Sequence, residues 1–120
     1  ADFLIEVSMI AVRTSDRAAV TPPNPDGTPG RPNPNLSSAI RVANTLYSSA
    51  AVGNIPSATD VRAQATVIVE RLERVLTAGG FSLADVVDVT VYLADIARAA
   101  DVDEVYRSVF TGAPPPRTTV

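Results

Sequence analysis

Gly112-Ala113-Pro114-Pro115-Pro116-Arg117-Thr118-Thr119-Val120 is the stretch on which the reading of the fold turns. Three consecutive prolines fix φ and lack amide donors, so they form an extended strut and not a helix or an inner strand. An arginine follows, then a β-branched run, Thr118-Thr119-Val120, that opens a strand. The rigid lead-in places the guanidinium reproducibly, and its planar fork suits two-point binding of a carboxylate. The bland alternative is a surface arginine after a proline-rich loop, and the motif alone leaves both open.

Working back from this strand, Ile96, Ala99, Val102, Val105, Tyr106, Val109 and Phe110 form one helical stripe, predicting a helix over about 96–110. Val86 to Leu93 alternates Val87, Val89, Val91 and Leu93 against Asp88, Thr90 and Tyr92, a strand buried on one face. Ser82-Leu83-Ala84-Asp85 reads as a capped single turn. Asp60 to Ala78 is the clearest helix, with Val61, Ala65, Ile68, Val69, Leu72, Val75 and Leu76 on one stripe. Thr59 or Asp60 caps its start and Gly79-Gly80 stops it. Helix, strand, helix, strand makes one right-handed crossover between the Val86 strand and the strand at Arg117.

Further back, Ala39-Ile40-Arg41-Val42 and Leu46 to Val52 read as a hairpin about Ala43-Asn44-Thr45, with the asparagine at the φ > 0 position. Thr14 to Asn35 is crowded with proline, glycine and asparagine and reads as a long loop or linker, with Arg17–Val20 a candidate short strand. Residues 2–13 are strand formers on both faces, which predicts a central strand with Glu6 and Ser8 side by side. The sum is a mixed sheet with helices packed on one face, an α+β or α/β sandwich.

At 120 residues the chain makes one domain, near the size where oligomerisation adds burial. It has no cysteine, so thiolate catalysis, thiolate metal sites and disulfides are excluded. With no histidine, the commonest general base and metal ligand are missing too. All ten basic residues are arginine, which excludes a lysine Schiff base. A net charge of −3 disfavours a nucleic-acid surface. No apolar run approaches membrane-spanning length and no basic leader precedes an apolar core, predicting a soluble, cytoplasmic protein with no membrane partner.

Several stretches, in one order over most of the chain, resemble the RidA/YjgF/UK114 family of enamine/imine deaminases, also called the endoribonuclease L-PSP family. They are 33–42, Thr45-Leu46-Tyr47-Ser48-Ser49, 60–65 with the helix after it, 80–87, 90–95, 102–106 and Pro115-Pro116-Arg117. The resemblance implies an α+β, chorismate-mutase-like fold and a homotrimer whose sheets close a central barrel, with ligand clefts between neighbours. The order of the pieces differs from the family's. Residues 4–13 resemble the closing strand, which in the family follows the arginine strand. A circular permutation, a unit of a tandem repeat and a processed precursor each fit. On that reading 1–13 equals the closing strand, pairing antiparallel with 117–120, while 14–35 is loop and 36–120 the remainder of a single domain.

By resemblance, Arg117 holds the carboxylate of a small substrate, with Thr118 beside it, Tyr92 lines the cleft, and Ser49-Ala50 turns its backbone to the ligand. Leu36 stands at the tyrosine of the family's proline-tyrosine-serine motif, and Thr119 where some members have cysteine. Ser8 replaces the family's usual water-orienting acid, and Glu6 is the carboxylate retained two residues earlier. Catalysis would therefore draw on Arg117, Thr119, Ser8 and Glu6, with no cofactor and no metal. The function implied is a Rid-type deaminase or hydrolase of an enamine, imine or amide. A noncatalytic trimeric metabolite-binding module is the alternative, and an endoribonuclease a weaker one.

Overall fold

Asp60 and Gly80 bracket the element on which the rest is assembled. In the computed structural model, which describes residues 7–120, α1 runs from Val61 to Gly79. The Asp60 carboxylate accepts from the Ala63 amide at 2.8 Å, satisfying one orphan donor of the first turn. Gly80 closes the helix in the left-handed region, φ 86°, with its amide on the Leu76 and Thr77 carbonyls. Every member of the expected stripe, from Val61 to Leu76, is buried or half-buried.

That stripe lies against an antiparallel sheet of β1 (Arg17–Val20), β2 (Ala39–Val42) and β3 (Thr45–Ser48), in that order. Val20 pairs with Ala39, and these two with Val75 of α1 form the core, Leu46 packing on it. Ala39 is 1% exposed, so a larger side chain at the centre of the sheet would force strain. Val42 pairs with Thr45, leaving Ala43-Asn44 as a two-residue turn. The positive φ falls on Ala43 (49°), not on Asn44 as the sequence predicts. β3 also ends at Ser48, short of the expected Val52.

After α1, the Ser82 amide and hydroxyl both donate to the Asp85 carboxylate, at 2.8 and 3.0 Å, fixing the single turn Leu83–Asp85. β4 (Val89–Val91), α2 (Ala99–Val109) and β5 (Arg117–Thr119) follow. β4 and β5 are parallel, Val89 opposite Arg117 and Val91 opposite Thr119. A parallel pair needs a crossover, and α2 supplies it. The expected strand over 86–93 contracts to three residues. The expected helix over 96–110 begins as a separate turn, Ile96–Arg98, capped by Asp95.

Two expectations need correcting. The described strands form two sheets, three antiparallel and two parallel, in place of one mixed sheet. Residues 7–13 carry no regular structure and are exposed, Met9 by 81% and Ile10 by 77%. Among the described residues β5 therefore pairs only with β4. Strand propensity expresses itself only where a neighbouring edge takes the backbone hydrogen bonds. The rest of the expected strand, with Glu6, lies outside the described residues. No helix among those described is long and apolar enough to cross a membrane.

An ion cluster docks α1 on α2. Arg62 meets Glu104 at 2.7 Å and the buried Asp101 at 3.0 Å, and Arg98 meets Asp101 at 2.6 Å. The hydrogen bond from Arg62, then its charge, holds the Glu104 carboxyl below the usual carboxylate range. A folded-state pKa below the unfolded value of ~4.3 gives stability that is complete above that value and is lost as pH falls through the lower one. The urea midpoint is thus expected to be flat near neutrality and to decline below about pH 4.5. Glu104→Gln should flatten part of that acid decline, and superimposable profiles would remove the pair from the account.

Candidate functional site

The proline strut is anchored before Arg117 begins. Pro115 is buried, and its carbonyl accepts from the Tyr106 hydroxyl of α2 at 2.6 Å. Burial, ahead of any nearby charge, pushes the Tyr106 phenol above its ordinary value, so it stays a donor at neutral pH. Tyr106 also presents its ring to Arg117, whose guanidinium carbon sits 4.8 Å from the ring centroid. One turn earlier on α2, Asp103 receives the Arg117 Nη2 in a short, charge-assisted bond. The arginine side chain is 19% exposed and its acid partner 39%. Arg117 is therefore held at three points: strut, ring and carboxylate. Among the described residues Asp103 engages Nη2 alone, through one of its two hydrogens; the other, paired with Nε or with Nη1, leaves one two-donor edge for an incoming anion.

Thr119 lies two residues on, on the same face of β5 as Arg117. Its Oγ1 is buried with no hydrogen-bond partner among the described residues, a state that costs stability unless something else fills the vacant bond. Thr118 is exposed on the opposite face. Tyr92, just past the end of β4, is 78% exposed.

The remaining expected residues stand elsewhere. Leu36, Ser49 and Ala50 line a cleft of about 370 Å³ between the loop after β1, the chain leaving β3, and α1. Arg117, Thr118, Thr119 and Tyr92 do not line it. Ser8 is exposed on the unstructured segment, and Glu6 lies outside the described residues. Within one chain the nine expected residues thus fall into two groups plus these two. Sequence reasoning missed Asp103 and the second role of Tyr106. The only signal was an acid three residues before a tyrosine, the spacing that puts both on one helical face. No group of three or more carboxylates among the described residues is spaced to hold a metal ion.

Comparison with known proteins adds to this geometry. The family model for Endoribonuclease L-PSP matches residues 29–120. The RutC family protein of Sulfurisphaera tokodaii is 35% identical over 89 residues, 70% of this chain and 71% of that one. The chain belongs to the Endoribonuclease L-PSP family, the RidA/YjgF/UK114 proteins. Within this family, the protein named "Putative reactive intermediate deaminase TdcF" of Escherichia coli is 34% identical over 58 residues, 48% of this chain and 43% of that protein. Rv2704 of Mycobacterium tuberculosis, a YjgF/YER057c/UK114 member of known crystal structure, superposes with a TM-score of 0.72 at 27% identity. That match covers 88% of this chain and 83% of Rv2704. Curated Rid relatives are matched over unequal shares of their own length, between 43% and 71%.

Proposed function

We propose that the protein is a Rid-type deaminase that hydrolyses a small carboxylate-bearing imine or enamine, with Arg117 as the carboxylate anchor. The observation that carries this reading is the three-point immobilisation of Arg117 with one donor edge left open. Preorganisation of this kind turns binding energy into orientation of the reacting carbon. Water adds to the C=N carbon, its proton passes to nitrogen, and C–N cleavage releases ammonia and leaves a 2-oxo acid. The Asp103 carboxylate supplies the acceptor missing at Ser8.

Assembly of the complete site needs a second copy, since Leu36, Ser49 and Ala50 lie apart from Arg117 in one chain. A homotrimer closing a barrel from the sheets meets that need. Exposed apolar side chains support it, among them Leu36 and Val52, each more than half exposed. Val87, at 81% exposed, adds to the uncovered apolar area.

The test is ammonia release from 2-iminopropionate generated in situ. A rate above the uncatalysed background is expected, and a rate equal to it would overturn the catalytic reading. The exposure of Ser8 favours a second one, a metabolite-binding module with no water-orienting acid on the closing strand. Calorimetric binding of a 2-oxo acid without turnover would select it.

A further inference from the structure

We propose that residues 7–13 of one copy of this chain add as a third strand to the free edge of β5 in a second copy. One chain carries both halves of this contact and joins neither. The segment has the composition of a strand but no regular structure, and Val7, Met9 and Ile10 are 70%, 81% and 77% exposed. Residues 7–12 include no charge and no proline, the two devices that keep an exposed apolar strand from pairing with another chain.

The receiving edge is equally specific. The Pro116 carbonyl accepts from the Val89 amide at 3.1 Å. The Val120 amide donates to the Val91 carbonyl at 2.9 Å, and its carbonyl accepts from Leu93 at 2.8 Å. Backbone groups alternate along a strand, so Pro116, Thr118 and Val120 face β4, while Arg117 and Thr119 turn their amides and carbonyls away from it. Among the described residues no strand takes those groups, and a two-stranded sheet is marginal by itself. The edge is also held ready by the Tyr106 bond to Pro115 and the Asp103 bond to Arg117, so an incoming strand has little left to order. The outer edge of β4 suits pairing less well, because the exposed Asp88 stands at its start.

Connectivity favours another copy over the same chain. Residues 14–16 join the segment to β1, an edge strand of the other sheet that packs on β2 and α1. Three residues reach only about 10 Å. Exchange of identical segments between copies costs little, since each copy gives and receives the same contact. It also sets Ser8 of the second copy on a strand next to the one carrying Arg117, about 4.8 Å away.

This inference stands without the deaminase reading. The chain has no cysteine, so introduced thiols report cleanly. An isotopically labelled chain carrying Thr118→Cys is mixed with unlabelled chains carrying Ser8→Cys, Met9→Cys, Ile10→Cys or Ala11→Cys, oxidised, and read by intact mass. Thr118 has its backbone turned to β4, so on the free edge it takes the antiparallel position where facing side chains come closest. Mixed disulfides are expected at alternate positions, several-fold above an exposed loop control, Asn54→Cys, because successive strand side chains face opposite ways. Adding Met9→Pro and Ile10→Pro removes a donor on each side of the strand. That should bring the Ser8→Cys and Ala11→Cys cross-links down to the control level, with the melting curve of the chain unchanged. Mixed disulfides at the control level, equal at all four positions, or indifferent to the prolines would overturn the proposal. So would a disulfide that closes only within single chains carrying both cysteines. An oligomer that persists without the mixed disulfide would overturn the exchange and leave the trimer reading standing.

Discussion

Arg117→Ala is expected to lower kcat/KM for 2-iminopropionate by about a hundredfold or more. Two charge-assisted hydrogen bonds to a carboxylate, at roughly 1.5–3 kcal/mol each, are lost, and each 1.36 kcal/mol is a tenfold change. The fold should survive, because the Asp103 carboxylate left behind is 39% exposed and can be rehydrated. Arg117→Lys separates charge from geometry: it keeps a cation near Tyr106 but loses the planar fork, and should recover only a small part of the activity. The readout is initial ammonia release, with circular dichroism melting of each variant as the control. Wild-type rates in the alanine variant, above background, would dismiss Arg117 as the anchor.

The elements that the sequence made legible are those whose start, stop and packing face are all written locally. Asp60, Gly80 and the stripe between them define α1 without reference to any other part of the chain, and the structure matches to within a residue. The crossover was equally readable, since the proline strut had to end in a strand and a helix had to return to it. The segment from Val7 to Val12 shows the opposite case. Its alternation is that of a strand, but a strand is a relation between two backbones, and the described residues offer it no partner. The turn at Ala43 is a smaller instance. Residue preference favoured Asn44, but the pairing of Val42 with Thr45 decides which turn residue goes left-handed.

Arg117 was legible as a candidate because rigid prolines precede it, whereas its partners were not. Asp103 is fourteen residues away and reads as a solvated position beside the buried Val102. Tyr106 reads as a core residue, and half of it is one: its ring packs on Phe110, centroids 4.6 Å apart. Its hydroxyl and its other contact fix the strut and the guanidinium, roles that only the docking of α2 on β5 creates. Leu36, Ser49 and Ala50 were placed by resemblance, and no local pattern could have shown that one chain keeps them away from Arg117.

Asp103→Asn separates binding from turnover at this site. In the wild type the Asp103 carboxylate already occupies Nη2 of Arg117, so an incoming carboxylate meets a guanidinium that is partly neutralised and a like charge beside it. An asparagine keeps the shape and one acceptor oxygen but removes the charge. Affinity for pyruvate, an unreactive carboxylate probe, should therefore rise by about tenfold, the order of one like charge removed from beside the bound carboxylate. In the same variant kcat for 2-iminopropionate should fall, because an amide is a far weaker proton acceptor for the attacking water than a carboxylate. A purely structural Asp103 would give a different pattern: losing it would let Arg117 drift, and binding and turnover would weaken together. Titration calorimetry beside steady-state kinetics distinguishes the two. Tighter pyruvate binding with slower turnover supports the reading, and weaker binding with a parallel loss of rate refutes it.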